Sequence, residues 1–363
     1  MKHSLLSLIV LLTLGLLIPS GNFHATLAQE NKAKTPNESS QAGPLAILPA
    51  AGLESPVVRI GMIGLDTSHV VAFTQTLNKP GNTGDLAGVK VVAAYPGGNE
   101  AFPLSRDRIK GFTRQVRDQG VEIVDSIDAL LAKVDIVLLE SVDGSQHLAQ
   151  AEPVFKAGKP VFIDKPLAHN LVDALKIQVL GKKYGTPWFS SSSLRFQPKL
   201  QELLRGDKLG DIVGCDAFSQ SRAGIGHDDL AWYGVHGVEI LYAVMGPGCI
   251  SVTRVQTDKS EQVTGTWSHG RVGTYRGIRE HTHQTGFGAA VFGMKSIQQI
   301  SLPSDYDGLV MEIAKFCKTK TPPVSDNITI EMFAFIAAAD ESKRQNGAPV
   351  TLESVIAKAR KAP

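Results

Sequence analysis

Residues 57–78 read VVRIGMIGLDTSHVVAFTQTLN, and the fold depends on how this stretch divides. Val57 to Ile63 is an apolar, β-branched run of strand length. Thr67 to Asn78 carries Val70, Phe73 and Leu77 at spacings of three and four, the period of a helix with one buried face. A strand that enters a helix through a tight turn opens a βαβ unit. Working outward, the same alternation recurs. Strands are predicted at Val89–Tyr95, Val121–Val124, Asp135–Glu140 and Pro160–Ile163. Helices are predicted around Ser105–Gln119, Ile127–Lys133 and Gln146–Ala157, with Gly158 as a C-cap. Ser190–Ser193 closes this half. The pattern predicts an α/β fold whose residues 57–190 form a Rossmann-type, doubly wound parallel sheet with the first strand near its centre.

Beyond residue 190 the texture changes. Ile212–Ser221, Ile250–Thr257, Gln262–Ser268 and Gly288–Phe292 are strand-like and follow one another without long helices between them. An open, largely antiparallel sheet covered by helices on one face is expected over 191–363, in an α+β domain. The 363 residues suit about two domains. A net charge of +2, with Lys and Arg mixed among Asp and Glu, leaves no basic stripe for nucleic acid, so a small-molecule partner is expected. Cys215, Cys249 and Cys317 are widely spaced and read as buried apolar fillers.

Before residue 57, Lys2 and His3 precede an apolar run from Leu5 to Ile18, and Thr26-Leu27-Ala28 offers small residues for cleavage. Residues 1–28 therefore read as a secretory signal and 29–56 as a flexible linker, which would place the mature protein in the periplasm or outside the cell. The run of 14 residues is shorter than the roughly 20 that span a bilayer, so no permanent membrane anchor is expected.

The turn after the first strand is where a dinucleotide fold holds its pyrophosphate, on helix N-terminal amides. Aligned on the strand end, a GxGxxG fingerprint falls on Gly64, Asp66 and His69, and only the first glycine is kept. A carboxylate in the second place would repel a diphosphate, although Asp66 is equally suited to cap the helix. The strand-end acid that would hold a ribose hydroxyl is absent from Val92-Ala93-Ala94-Tyr95-Pro96-Gly97.

Five further segments carry a resemblance. These are Ser141 to His147; Gly158 to Ala168, including Asp164-Lys165-Pro166; Ser193 to Pro198 with Gly210 to Gly214; Gly234 to Leu241, including His236; and Thr321 to Val324 followed by Ala337 to Ser342 and Gly347 to Val350. In this order they resemble the glucose-fructose oxidoreductase and inositol dehydrogenase family, Gfo/Idh/MocA. The resemblance implies NAD or NADP as cofactor and hydride transfer at a carbinol of a sugar or polyol. Lys165 and His236 would then be the catalytic pair. Gly64, Asp66, Thr67, Ser68, His69, His147, Asp164 and Pro166 would contact cofactor, and Arg195, Tyr233 and Asp229 substrate. It also implies copies of the chain associating through the C-terminal sheet.

Where many members place an aspartate four residues before the histidine, this chain has Trp232. An alternative reading is therefore an exported, non-catalytic carbohydrate-binding protein on the same scaffold. The turn at 64–69 favours that alternative, and Lys165 with His236 favours the enzyme. No metal is expected. His227, His236, His269, His281 and His283 lie near Asp228, Asp229 and Glu280 in sequence, but His281 and His283 equally suit one face of an exposed strand.

Overall fold

From Ile60 onward the first strand is buried on both faces, as a central parallel strand requires. A computed structural model of the chain describes residues 57–222, 227, 229–279 and 286–362. The expected signal and linker at 1–56, and Asp228, Glu280, His281 and His283, lie outside the described residues.

The first half runs β1 (Val58–Ile63), α1 (His69–Leu77), β2 (Val89–Tyr95), α2 (Pro103–Arg106), α3 (Ile109–Asp118), β3 (Glu122–Ile123), α4 (Ile127–Leu131) and β4 (Ile136–Leu139). It continues with α5 (His147–Lys156), β5 (Val161–Ile163), α6 (Leu171–Tyr184) and β6 (Trp188–Phe189). The strands pair in parallel in the order β3-β2-β1-β4-β5-β6. This is the order of two mononucleotide-binding halves, with the ligand crevice at the carboxyl ends of β1 and β4.

Two local expectations are corrected. The helix expected over Ser105–Gln119 is broken into α2 and α3, with Pro103 starting the first piece and Ser105 turning its hydroxyl onto Asp66. Asp66 does not cap α1, which begins two residues later than expected with Ser68 at its N-cap. Helix α6 and strand β6 went unread, although Asn170 caps α6 through Asp173 N and Gly185 ends it at φ +61°.

The second half comprises α7 (Pro198–Arg205), β7 (Ile212–Gln220), α8 (Val235–Met245), β8 (Cys249–Gln256), β9 (Ser260–Trp267), β10 (Val272–Ile278), β11 (Phe287–Gly293) and β12 (Ile297–Leu302). It ends with α9 (Asp307–Thr319), α10 (Asp326–Arg344), β13 (Val350–Thr351) and α11 (Leu352–Arg360). The sheet order is β12-β11-β7-β10-β9-β8-β13, antiparallel throughout except for β7 beside β10. Helix α8 lies close on this sheet because Gly237 has no side chain; a Cβ there would come within 2.1 Å of the Tyr275 ring. Tyr242 meets Phe335 edge to face, and Trp267 packs at a tilt against both, between sheet and helices. Helix α9 returns to the first sheet, where Leu309, Ile313 and Phe316 join Ile60, Phe73 and Phe189 in one buried cluster. All three cysteines are buried and free. Among the described residues no helix is long and apolar enough to cross a membrane.

One charged cluster ties β8, β9 and α10 together. Arg254, fully buried, donates to Asp340 and Glu261 and, at 2.8 Å, to Asp229. Arg279 and Lys343 also reach Asp229, at 3.1 and 3.0 Å. Removing the shared cation leaves buried carboxylates short of a partner. Arg254→Met should therefore lower the unfolding free energy by about 3–5 kcal/mol, read as a shifted urea midpoint at unchanged slope. A loss below about 1 kcal/mol, the range of a solvated pair, would contradict this account.

Candidate active site

A cavity of about 300 Å3 opens at the carboxyl ends of β1, β4 and β5. Its first wall comes from the parallel half: Thr67, Ser68 and His69 at the start of α1, Leu104 and Arg108 from the α2–α3 segment, Val142 after β4, and Asp164 and Lys165 after β5. The facing wall comes from the second half, with Gln220 and Arg222 after β7, Trp232 and Tyr233 before α8, His236 on it, and Phe287 and Tyr306. Lys165 and His236 thus line the same space from the two halves of the chain.

His236 is held in place by a chain of contacts. Its Nδ1 is 2.7 Å from Ser192 Oγ, and its ring packs between those of Tyr233 and Phe287. Ser192 N and Ser191 Oγ both donate to the buried Glu239, one turn further along α8. Glu239 in turn accepts from Arg195. Burial first, and then the positive charge of Lys165, holds the His236 pKa well below the ordinary imidazole value.

At the floor of the first wall three titratable groups meet. His69 Nδ1 lies 2.7 Å from Asp164 Oδ2 and 4.0 Å from Glu140 Oε2. Burial, reinforced by the charge of Asp164, pushes the Glu140 carboxyl well up. Burial acts on Asp164 in the same direction, but its contact with His69 and the charge of Lys165 outweigh it and hold Asp164 below the ordinary value.

Several sequence candidates are placed elsewhere. His147 is fully buried outside the cavity, its ring nitrogens 3.1 Å from Leu167 O and 2.7 Å from Ser141 O, so it braces the loop after β4. Asp229 belongs to the Arg254 cluster, and Arg195 is spent on Glu239. Pro166 follows Lys165 through a cis peptide bond and is not among the cavity-lining residues. Arg108, Glu140, Ser192 and Glu239 were missed. Glu140 could have been found, since it is the one charged residue closing an otherwise apolar strand, Ile136-Val137-Leu138-Leu139.

Comparison with known proteins adds to this geometry. Residues 58–190 match the model of the Gfo/Idh/MocA oxidoreductase family with an NAD-binding Rossmann fold. These residues, the parallel half, are what carries the likeness to that family. Inositol 2-dehydrogenase 1 of Saccharopolyspora erythraea is 30% identical over 160 residues, which cover 43% of this chain and 42% of that protein. The chain thus matches less than half the length of this curated relative. Scyllo-inositol dehydrogenase from Lactobacillus casei, solved with NAD(H) and scyllo-inositol, superposes with a TM-score of 0.63 at 16% identity, over 82% of this chain and 99% of that one. Myo-inositol dehydrogenase from the same organism, solved with NAD(H) and myo-inositol, gives 0.63 at 16% identity over 81% and 96%. At such identities these two structures establish the fold.

The match of residues 58–190 to an NAD-binding model bears on the turn after β1. The first glycine position passes: Gly64 has φ +87°, and an added Cβ would lie 2.2 Å from Ser141 Oγ, so only glycine fits. Asp66 corrects the sequence expectation. It is fully buried and turned away from the cavity, accepting from Ser105 Oγ at 2.6 Å and Val142 N at 2.8 Å. Burial raises its pKa, with these hydrogen bonds pulling the other way. It therefore presents no repelling charge to the cavity. Arg108 instead faces the space near Thr67 and Ser68, and one of its terminal nitrogens is buried without a hydrogen-bond partner. An orphaned guanidinium nitrogen beside a helix N-terminus suits an anionic group such as a diphosphate. The residues present fit the cofactor's anionic centre, with Arg108 supplying charge where the usual fingerprint supplies bare backbone.

Arg108→Gln should weaken NADH binding by roughly ten- to a hundredfold, the about 1.5–3 kcal/mol of a hydrogen bond to a charged group. Fluorescence titration measures it. Asp66→Gly, in contrast to the expectation from sequence, should not tighten binding. It should cost about 1–3 kcal/mol of stability through the two donors it leaves unpaired, and tighter binding in that variant would contradict the placement of Asp66.

Proposed function

We propose that this chain is an NAD(P)-dependent oxidoreductase acting at a carbinol carbon of a sugar or polyol, and, with the signal expected over residues 1–28, an exported one. The observation that carries the reading is that Lys165, after β5, and His236, on α8 in the second half, line one cavity together with Arg108. A cavity of about 300 Å3 lies at the small end of ligand sites and suits a single sugar-sized ring. Aromatic faces from Trp232, Tyr233 and Tyr306 alternate with polar groups from Ser193, Gln220 and Ser304, a lining that suits a ring with apolar faces and hydroxyl edges. The family and the named inositol dehydrogenase relative support the same substrate class.

Arg108 and the start of α1 would hold the cofactor, whose nicotinamide supplies the hydride acceptor or donor. The protein's own part is proton handling. Oxidation of a carbinol needs its hydroxyl proton removed as the hydride leaves. Lys165 is placed to hold the substrate oxygen. With Nδ1 of His236 engaged by Ser192, Nε2 is the nitrogen left to take up the proton, and its depressed pKa keeps the ring neutral and ready to accept. Arg195, Glu239 and Ser192 fix the ring's orientation and so act through His236.

A screen of inositols, sugars and sugar acids with NAD+ and NADP+ should find turnover for at least one pair. Lys165→Met should reduce kcat by about a hundred- to a thousandfold, the usual cost of removing a donor to an oxygen that gains negative charge in the transition state, while changing substrate affinity little. Undiminished turnover in Lys165→Met, or no turnover with any pair, would overturn the assignment.

A further inference from the structure

We propose that His69, Glu140 and Asp164 form a binding site for one divalent transition-metal ion, Mn2+, Fe2+ or Zn2+, at the floor of the cavity. Each residue offers one ligand atom, and the three atoms lie within 4.8 Å of one another. They come from the start of α1 and from the residues that follow β4 and β5, three neighbouring positions along the carboxyl edge of the sheet. All three side chains are buried, and Glu140 is inaccessible to solvent.

A second observation points to a ligand. Both carboxylate oxygens of Glu140, and Oδ1 of Asp164, are buried without a hydrogen-bond partner. A buried carboxylate without a partner is strongly unfavourable, since it has given up water for nothing. Protonating Glu140 would remove the charge but leave a buried hydroxyl donor and a carbonyl acceptor still unmatched. A cation on the orphaned oxygens satisfies them together.

The charge balance agrees. Lys165 is near enough to act electrostatically on both carboxylates, so one lysine faces two buried acidic groups. A divalent ion would supply the positive charge that a single lysine does not. The donor set selects the class of ion. One imidazole and two carboxylates suit Mn2+, Fe2+ and Zn2+ rather than soft, thiolate-bound ions, and three protein ligands leave positions for water or a substrate oxygen. Because His69 and Asp164 also line the cavity, an ion held by the three would be reachable from it, where it could polarise a carbinol oxygen as a Lewis acid without itself changing oxidation state.

This departs from the expectation of no metal, takes His69, which the resemblance assigned to the cofactor, and uses none of the histidines weighed as metal ligands. His227 pairs with Asp143 at 3.5 Å, His236 with Ser192, and His269 lies between β9 and β10. The proposal goes beyond the dehydrogenase reading, and binding of the ion needs neither nucleotide nor substrate.

The test uses chelator-stripped, full-length protein titrated with Mn2+ and followed by electron paramagnetic resonance, and with Zn2+ by calorimetry, in the absence of nucleotide. One ion per chain is expected, together with a rise in melting temperature when it binds. Glu140→Gln and Asp164→Asn, both close in shape to the residues they replace, should each weaken binding at least a hundredfold and abolish the metal-dependent rise. Circular dichroism checks that each variant is folded. Should either variant fail to fold, His69→Gln serves as the third arm. Absence of binding at millimolar Mn2+ and Zn2+, or equal binding by folded variants, overturns the site. Neither result bears on the turnover screen, so the two readings fail separately.

Discussion

The close approach of the turn after β1 to the loop after β4 is the constraint on which the rest of this protein depends. Gly64 sits so near Ser141 that any side chain would collide with its backbone. The next amides are committed to the neighbouring strand end, Gly64 N to Tyr95 O at 3.0 Å and Leu65 N to Pro96 O at 2.7 Å. Asp66 completes the join through Val142 N and Ser105 Oγ. Three loops from three strands are thereby held as one surface, and the residues that follow, Thr67 to His69, can only start α1 facing the cavity.

The proposed catalytic pair, Lys165 and His236, depends on that surface indirectly. Lys165 is positioned by the end of β5, whose chain continues the ladder through Asp164 N to Leu139 O at 2.8 Å. His236 arrives from the other sheet, and its distance from Lys165 is governed by how closely α8 lies on β10 and by the Arg195–Glu239–Ser192 chain behind it. A rigid parallel half and a sheet-borne helix thus meet across one cavity, a common way to build a site whose two partners must keep a fixed separation.

The molecule buries charge in two contrasting ways. Around Arg254 the carboxylates of Glu261, Asp340 and Asp229 share one guanidinium that is itself inaccessible to solvent, and the cluster is structural. Around His69 the carboxylates are buried with oxygens left over. Strongly perturbed, incompletely satisfied groups concentrate where chemistry is done, because a fold gains nothing from leaving a buried charge unmatched. Their position beside Lys165 is consistent with that rule.

Residues 57–78 determined the class of fold by themselves, because apolar periodicity is local: a β-branched run, a turn, and a three-four spacing identify a βαβ unit before any tertiary contact is known. The same locality made Val89–Tyr95 and the strand that leads to Lys165 readable, and the ordered motifs carried the family resemblance. The short pieces were not readable. Strands β3 and β6 are two residues long, and only their neighbours in the sheet define them. The direction of a polar side chain was not readable either. Asp66 occupies a position that sequence assigns to the cofactor, yet the α2 segment draws it inward; Asp229 and Arg195 are captured by partners 25 and 44 residues away. Glu140, Asp164 and His69 converge from β4, β5 and α1 only once the sheet is assembled in its strand order. Periodicity determines which face of an element is buried, whereas the partner of a buried charge is chosen by packing between elements distant in the chain.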